Sequence, residues 1–171
     1  LEAANDFLSL INMSINECQT KIDQGKATVS FLTRRKAEIK VNAHYEKSAK
    51  TMNVVGKIEG SDPELKEEYL IIGAHLDHVG SQAGLLFPGA NDNASGSAGV
   101  LELAEAFQKS ELKPRRSILF VLFASEEQGL FGSKHFVENL KIDTTKIAAM
   151  FNLDCIGYGD SIQVGNGKSA P

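Results

Sequence analysis

Cysteine is scarce. The chain has two in 171 residues, Cys18 and Cys155, set far apart. A pair so placed makes no disulfide framework, and Cys155, which follows an apolar run, reads as a buried free thiol. Positive charge is not in excess either: 18 Lys and Arg stand against 22 Asp and Glu, a net charge of −4. No basic stripe exists to neutralise phosphates, which excludes nucleic acid as a partner. Long apolar runs are missing as well, and none approaches the roughly 20 residues of a membrane span. Internal repeats and low-complexity segments are absent. Histidine is sparse, at four: His44, His75, His78 and His135. What is left is an ordinary globular composition, 42% hydrophobic and 23% charged, long enough for one domain with its own core.

Apolar spacing then gives the elements. Phe7, Leu8, Ile11, Ile15, Cys18 and Ile22 recur at three and four residues, which predicts one helix over 4–24, ended by Gly25. Residues 29–32 are a short apolar piece. Ala37 to Tyr45 alternates and predicts a half-buried strand, paired as a hairpin with a second strand over 52–59. Continuous apolar runs at Tyr69–Ala74, Ser117–Ala124 and Ile147–Leu153 read as strands buried on both faces. Helices are expected over 95–109 and 130–140, and a last short strand over 161–164. Strands alternating with helices make this an α/β three-layer domain, with a mostly parallel central β-sheet, an antiparallel hairpin at the edge and helices on both faces. The expected division is a helical lead-in over 1–36 and one domain over 37–171.

The chemistry sits at the strand ends. His75-Leu76-Asp77-His78 follows one buried strand, Glu126-Glu127 the next and Asp154 the third. Asp92 opens the helix in between, inside the Gly-punctuated stretch 88–99. Singly, each is bland: a core histidine, a turn carboxylate, a solvated loop, a helix cap. Jointly they are not. In open α/β sheets ligands bind beyond the carboxyl ends of the strands, so these groups share one rim. Carboxylates gathered there are costly unless paired or protonated, and no Lys or Arg stands within the clusters. A cation resolves the conflict. Histidine nitrogen mixed with carboxylate oxygen suits zinc, with manganese and cobalt as runners-up. Asp77 can accept the second ring N–H of a ligating His75. Of the two glutamates, one can ligate while the other takes a proton from water.

Four motifs carry a resemblance: Gly73-Ala74-His75-Leu76-Asp77-His78, Gly89-Ala90-Asn91-Asp92-Asn93-Ala94-Ser95-Gly96, Ser125-Glu126-Glu127-Gln128-Gly129 and Asn152-Leu153-Asp154. In content and order the chain resembles the M28 family of zinc aminopeptidases from about residue 37 onward. The resemblance implies that His75 and Asp154 ligate a first zinc, Glu127 ligates a second, and Asp92 bridges the two. It implies Glu126 as general base and acid, Asp77 as the group that orients His75, and a cis peptide at Asp92–Asn93. The implied reaction removes N-terminal residues from a peptide substrate, with the metals polarising the carbonyl and supplying hydroxide. Pocket walls are expected from 80–87. The resemblance also implies an exported protein, periplasmic or extracellular.

One part of the family pattern has no counterpart: a further His for the second zinc, downstream of Asp154. The chain is then expected to hold the first part of a peptidase domain, to bind one zinc or none by itself, and to have weak or no activity. Three alternatives share the motifs: a single-zinc glutaminyl cyclase, a carboxypeptidase, and a receptor-like domain that has lost its metals.

Overall fold

A computed structural model describes residues 2–26, 30, 32, 36–46, 48–82, 84–161 and 164–165. Contacts divide the chain into two compact units, Leu1–Lys47 and Ser48–Pro171.

In the first unit the single helix expected over 4–24 is two, α1 (Glu2–Leu8) and α2 (Ile15–Asp23), with a 3-10 turn at Ser9–Ile11 between them. Capping chemistry breaks the run. Asn12 takes a left-handed conformation. The Ser14 hydroxyl accepts the Glu17 amide N–H, and the Glu17 carboxylate accepts the Ser14 amide N–H in return. These amides are therefore satisfied without a helix running through. The strand expected at 37–45 does not form. Residues 36–46 carry no strand, and Ile39, Val41 and Tyr45 are exposed. Alternation specifies a strand only where a neighbour covers its apolar side, and among the described residues none pairs with it. The pieces expected at 29–32 and 161–164 fall partly outside the described residues.

Among its described residues the second unit is built on six strands: β1 (Val54–Ile58), β2 (Tyr69–His75), β3 (Gly80–Gln82), β4 (Leu85–Phe87), β5 (Ser117–Phe123) and β6 (Ile147–Asn152). Four form one sheet in the order β1-β5-β2-β6. β5, β2 and β6 run parallel, and β1 pairs antiparallel along β5. The antiparallel edge is thus a lone strand rather than a hairpin. The hairpin that does form is β3–β4, with Gly80 opposite Phe87, in the stretch expected to wall the pocket.

β5 is buried along its whole length, and its side chains divide by alternation. Ile118, Phe120 and Leu122 join Ile72 and Ala74 under helix α3 (Gly96–Lys109), through Val100, Ala104 and Phe107. Leu119, Val121 and Phe123 join Ile71 on the opposite face, where Phe136 of helix α4 (Phe131–Glu138) meets Phe123 edge-on at 5.6 Å. Helices cover both faces over β2 and β5, as a parallel sheet requires. β6, expected to be buried on both faces, is instead largely exposed, with Met150 and Phe151 half open to solvent, because it is an edge strand with no strand along its outer side among the described residues.

Three parallel strands ending within two residues of one another deliver three loop starts to one rim. Behind it, Asn53 ties down the turn after β5: its Oδ1 accepts the Ala124 N–H at 3.0 Å and its Nδ2 donates to the Gly132 carbonyl at 2.7 Å. Ile118 lies 1% exposed at the centre of this core. Ile118→Ala is expected to lower the unfolding free energy by about 2–5 kcal/mol in a urea titration, and Leu112→Ala, at an exposed position, to change it by under about 0.5 kcal/mol.

Candidate metal centre

β2 carries His75 to the rim as its last residue, with the ring 4% exposed. Its Nδ1 lies 3.0 Å from the Asp77 backbone carbonyl. A carbonyl only accepts, so Nδ1 carries the hydrogen, and in the neutral ring Nε2 presents its lone pair. That lone pair faces oxygen: Asp92 Oδ1 at 3.1 Å, Asp154 Oδ1 at 3.5 Å and Glu126 Oε2 at 4.0 Å. Donors held at about 2.0–2.1 Å by one tetrahedral zinc stand roughly 3.3 Å apart, so His75, Asp92 and Asp154 have the spacing a shared cation would impose.

A second group shares Asp92. His78 Nδ1 lies 2.7 Å from Glu127 Oε1 and 3.9 Å from Asp92 Oδ1. His75, Asp92 and Asp154 form one set whose donor atoms all lie within 4.8 Å of one another, and His78, Asp92 and Glu127 form another. All six residues singled out in the sequence therefore meet here. His78 joins them, and the repeated His in His75-Leu76-Asp77-His78 was the signal for it.

Two roles differ in detail from those expected. The Asp77 carboxylate does not hold the His75 ring, since its Oδ1 is 4.0 Å from Nδ1 while its backbone carbonyl makes the bond. The carboxylate instead accepts the backbone N–H groups of Glu126 at 3.0 Å and Glu127 at 3.3 Å. Asp77 thus locks the two glutamates to the end of β2. Nor does Asp92 cap the helix. A wide turn at Ala90–Ser95 precedes α3, and within it the Asp92–Asn93 peptide is cis. Asn93 does the capping: its Oδ1 accepts the Gly96 N–H at 3.0 Å and the Cys155 N–H at 3.3 Å, and its Nδ2 donates to the Leu153 carbonyl at 2.9 Å. A Cβ at Gly96 would strike both Asn93 and Leu153. With capping assigned to Asn93, the Asp92 carboxylate is left for the rim. Asn93 is 2% exposed.

The electrostatics agree with the donor set. Among the described residues, the rim carboxylates pair with histidine alone. The Lys and Arg ion pairs lie elsewhere, at Lys40–Glu38, Lys109–Glu105, Arg115–Asp62 and Arg116–Glu68. Cys155 is free and exposed rather than buried. Its thiol is pushed above its ordinary range first by desolvation, then by a hydrogen bond to Asp154 and the charges of Asp154, Asp92 and Glu127. A cavity of about 190 Å³ opens between His75, Glu126 and Asp154, walled by Leu130 and Met150. A larger hollow of about 680 Å³ between β1 and α4 contains no carboxylate and has no part in this chemistry.

Residues 53–169 match the model of peptidase family M28. An aminopeptidase of Pseudomonas aeruginosa is 38% identical over 126 residues, which is 71% of this chain and 22% of that protein. Leupeptin-inactivating enzyme 1 of Streptomyces exfoliatus is 42% identical over 106 residues, 61% of this chain and again 22% of the relative. The chain thus spans under a quarter of the length of these relatives. Among solved structures, an aminopeptidase from Aneurinibacillus sp. strain AM-1 superposes with a TM-score of 0.52 at 36% identity, over 60% of this chain and 24% of that one. A zinc aminopeptidase from Bacillus subtilis gives 0.52 at 33% identity, over 61% and 24%.

Asn93 joins the Asp92 turn to the Leu153–Cys155 segment, so its removal orphans the buried Gly96 N–H on one side and the part-buried Leu153 carbonyl on the other. Asn93→Ala is expected to cost about 1–3 kcal/mol of stability, read by chemical denaturation, and to weaken metal uptake at the first set, read by calorimetric titration with zinc.

Proposed function

This chain belongs to peptidase family M28, and from that premise we propose that it is the metal-holding part of a zinc aminopeptidase. His75, Asp92 and Asp154 hold a first zinc, and Asp92 with Glu127 frames a second. The observation that carries the reading is His75 Nε2 facing carboxylate oxygens 3.1 and 3.5 Å away that, among the described residues, pair with no Lys or Arg. One histidine nitrogen with two carboxylate oxygens and open space beside them is the donor set of a catalytic rather than a structural zinc. Zinc bound there supplies Lewis acidity toward a peptide carbonyl and toward water.

The protein's own groups do the rest. Glu126 stands at the edge of the first set, 4.0 Å from His75 Nε2 and a third exposed. Its amide is tied to Asp77, so its carboxylate is held at the mouth of the cavity. It takes the proton from the attacking water and returns it to the departing amine. The surplus carboxylates favour a substrate with a free, positively charged N-terminus over one with a free carboxylate. This agrees with the relatives named as aminopeptidases and disfavours the carboxypeptidase alternative. A domain that had lost its metals would have no need to keep this crowding. The hairpin β3–β4 displays Leu85, Leu86 and Phe87 at the surface, between the His78 and Asp92 turns, and is the segment placed to meet a substrate side chain.

Assayed on an aminoacyl chromogenic substrate in the protein that carries this chain, Glu126→Gln is expected to lower kcat by about 10²–10⁴-fold with zinc content unchanged by atomic absorption. Equal loss of zinc and activity in that variant would assign Glu126 to the metal instead.

A further inference from the structure

His78 is the one member of the rim that the family pattern leaves without a role, and its geometry supplies one. The Nδ1–Oε1 distance to Glu127 is 2.7 Å. Two donors on one tetrahedral zinc stand roughly 3.3 Å apart, whereas a charge-assisted N–H···O bond spans about 2.7–2.9 Å. The contact is therefore a hydrogen bond, with the ring N–H donating to Oε1, and the other Glu127 oxygen is left uncommitted. The 3.9 Å gap to Asp92 Oδ1 is too long for a second such bond.

The ring is also held from behind. Gly89 has φ +67°, and a Cβ there would come within 2.8 Å of His78 Cβ and Cγ. The turn that presents Asp92 thus gives the ring room only because it begins on glycine. Asp77 fixes the Glu127 backbone at 3.3 Å. Glu127 is consequently anchored twice, at its amide by Asp77 and at its carboxylate by His78. Both side chains of the pair are largely buried, at 23% and 19% exposure.

We propose that His78 is a positioning residue for the second metal: its Nδ1–H orients the Glu127 carboxylate toward Asp92 and it does not itself ligate. This rests on the zinc reading above and goes beyond it by assigning a group outside the ligand set. Partners that orient metal ligands are worth about 10–100-fold in affinity.

The test is calorimetric titration with zinc of the metal-stripped protein that carries this chain, comparing wild type with three variants. His78→Asn keeps an N–H donor at the same number of bonds from the backbone as Nδ1 and is a poor zinc ligand. His78→Asp keeps a ligand atom and has no donor. His78→Ala has neither. Far-ultraviolet circular dichroism confirms that each is folded. The expected result is a first equivalent unchanged in all four and a weaker second equivalent. Relative to wild type, the second should bind about 10–100-fold more weakly in the Ala and Asp variants and within about threefold in the Asn variant. A second equivalent lost in Asn but kept in Asp makes His78 a ligand and overturns the proposal. So does an unchanged second equivalent in Ala, or a wild type that takes up one equivalent only. A wild type that binds no zinc overturns the metal reading itself, so the two failures are distinct.

Discussion

Five carboxylates, those of Asp77, Asp92, Glu126, Glu127 and Asp154, converge on one rim whose only ion-pair partners among the described residues are two histidines. Asp92 has an oxygen within 4.8 Å of one on Asp154 and of one on Glu127. At an effective dielectric near 20, each such pair repels by on the order of 3 kcal/mol before screening by solvent. Asp77 relieves part of this through the amides of Glu126 and Glu127, and His78 relieves part through Glu127. Among the described residues Asp92 faces only the rings of His75 and His78, and Asp154 the ring of His75 and the Cys155 thiol; the charge that would satisfy them is a divalent cation.

The fold is arranged to hold that unfavourable cluster in place. Parallel strands β2 and β5 end level with one another and β6 two residues short of them, and the core beneath is covered by α3 and α4 on its two faces. Strain appears where the chain leaves the sheet. Ser125 and Cys155, neither of them glycine, take φ of 53° and 52° immediately beside Glu126 and Asp154, conformations that cost of order 1 kcal/mol each and persist only where surrounding structure holds them. Here the holding groups are identifiable. Asn53 ties the turn after β5 to the start of α4, and Asn93 ties the turn before α3 to the segment after β6. Two buried or half-buried asparagines thus spend their amides on backbone groups so that acidic side chains can be left for a ligand.

Strands β2 and β5 and the rim were legible in the sequence because continuous apolar runs bounded by polar clusters have few other meanings; the third run gives β6 in its expected place, but as an edge strand with Met150 and Phe151 half exposed rather than buried. The Asp and Glu positions followed from those strand ends. What escaped was local. Ser14 and Glu17 form a reciprocal cap that no apolar periodicity reveals, so one helix became two. The alternation at 37–45 was an accurate reading of side-chain pattern, yet alternation carries no information about a partner. Asp92 and Asn93 are adjacent and both can cap; only the turn geometry assigns capping to Asn93 and the free carboxylate to Asp92. His78 was visible as a repeat of histidine at a strand end, but its bond to Glu127 spans 49 residues of sequence.

The claim that a cation completes this rim is tested most directly by thermal unfolding of the metal-stripped chain, with and without a small excess of zinc, followed by circular dichroism. A cation bound only by the folded state adds RT ln(1 + [L]/Kd) to stability, about 2.7 kcal/mol at a hundredfold excess over Kd. The expected result is a rise in Tm with zinc, abolished by His75→Ala and left in place by substitution of the remote His135. A Tm that zinc does not raise in the wild-type chain would contradict the account.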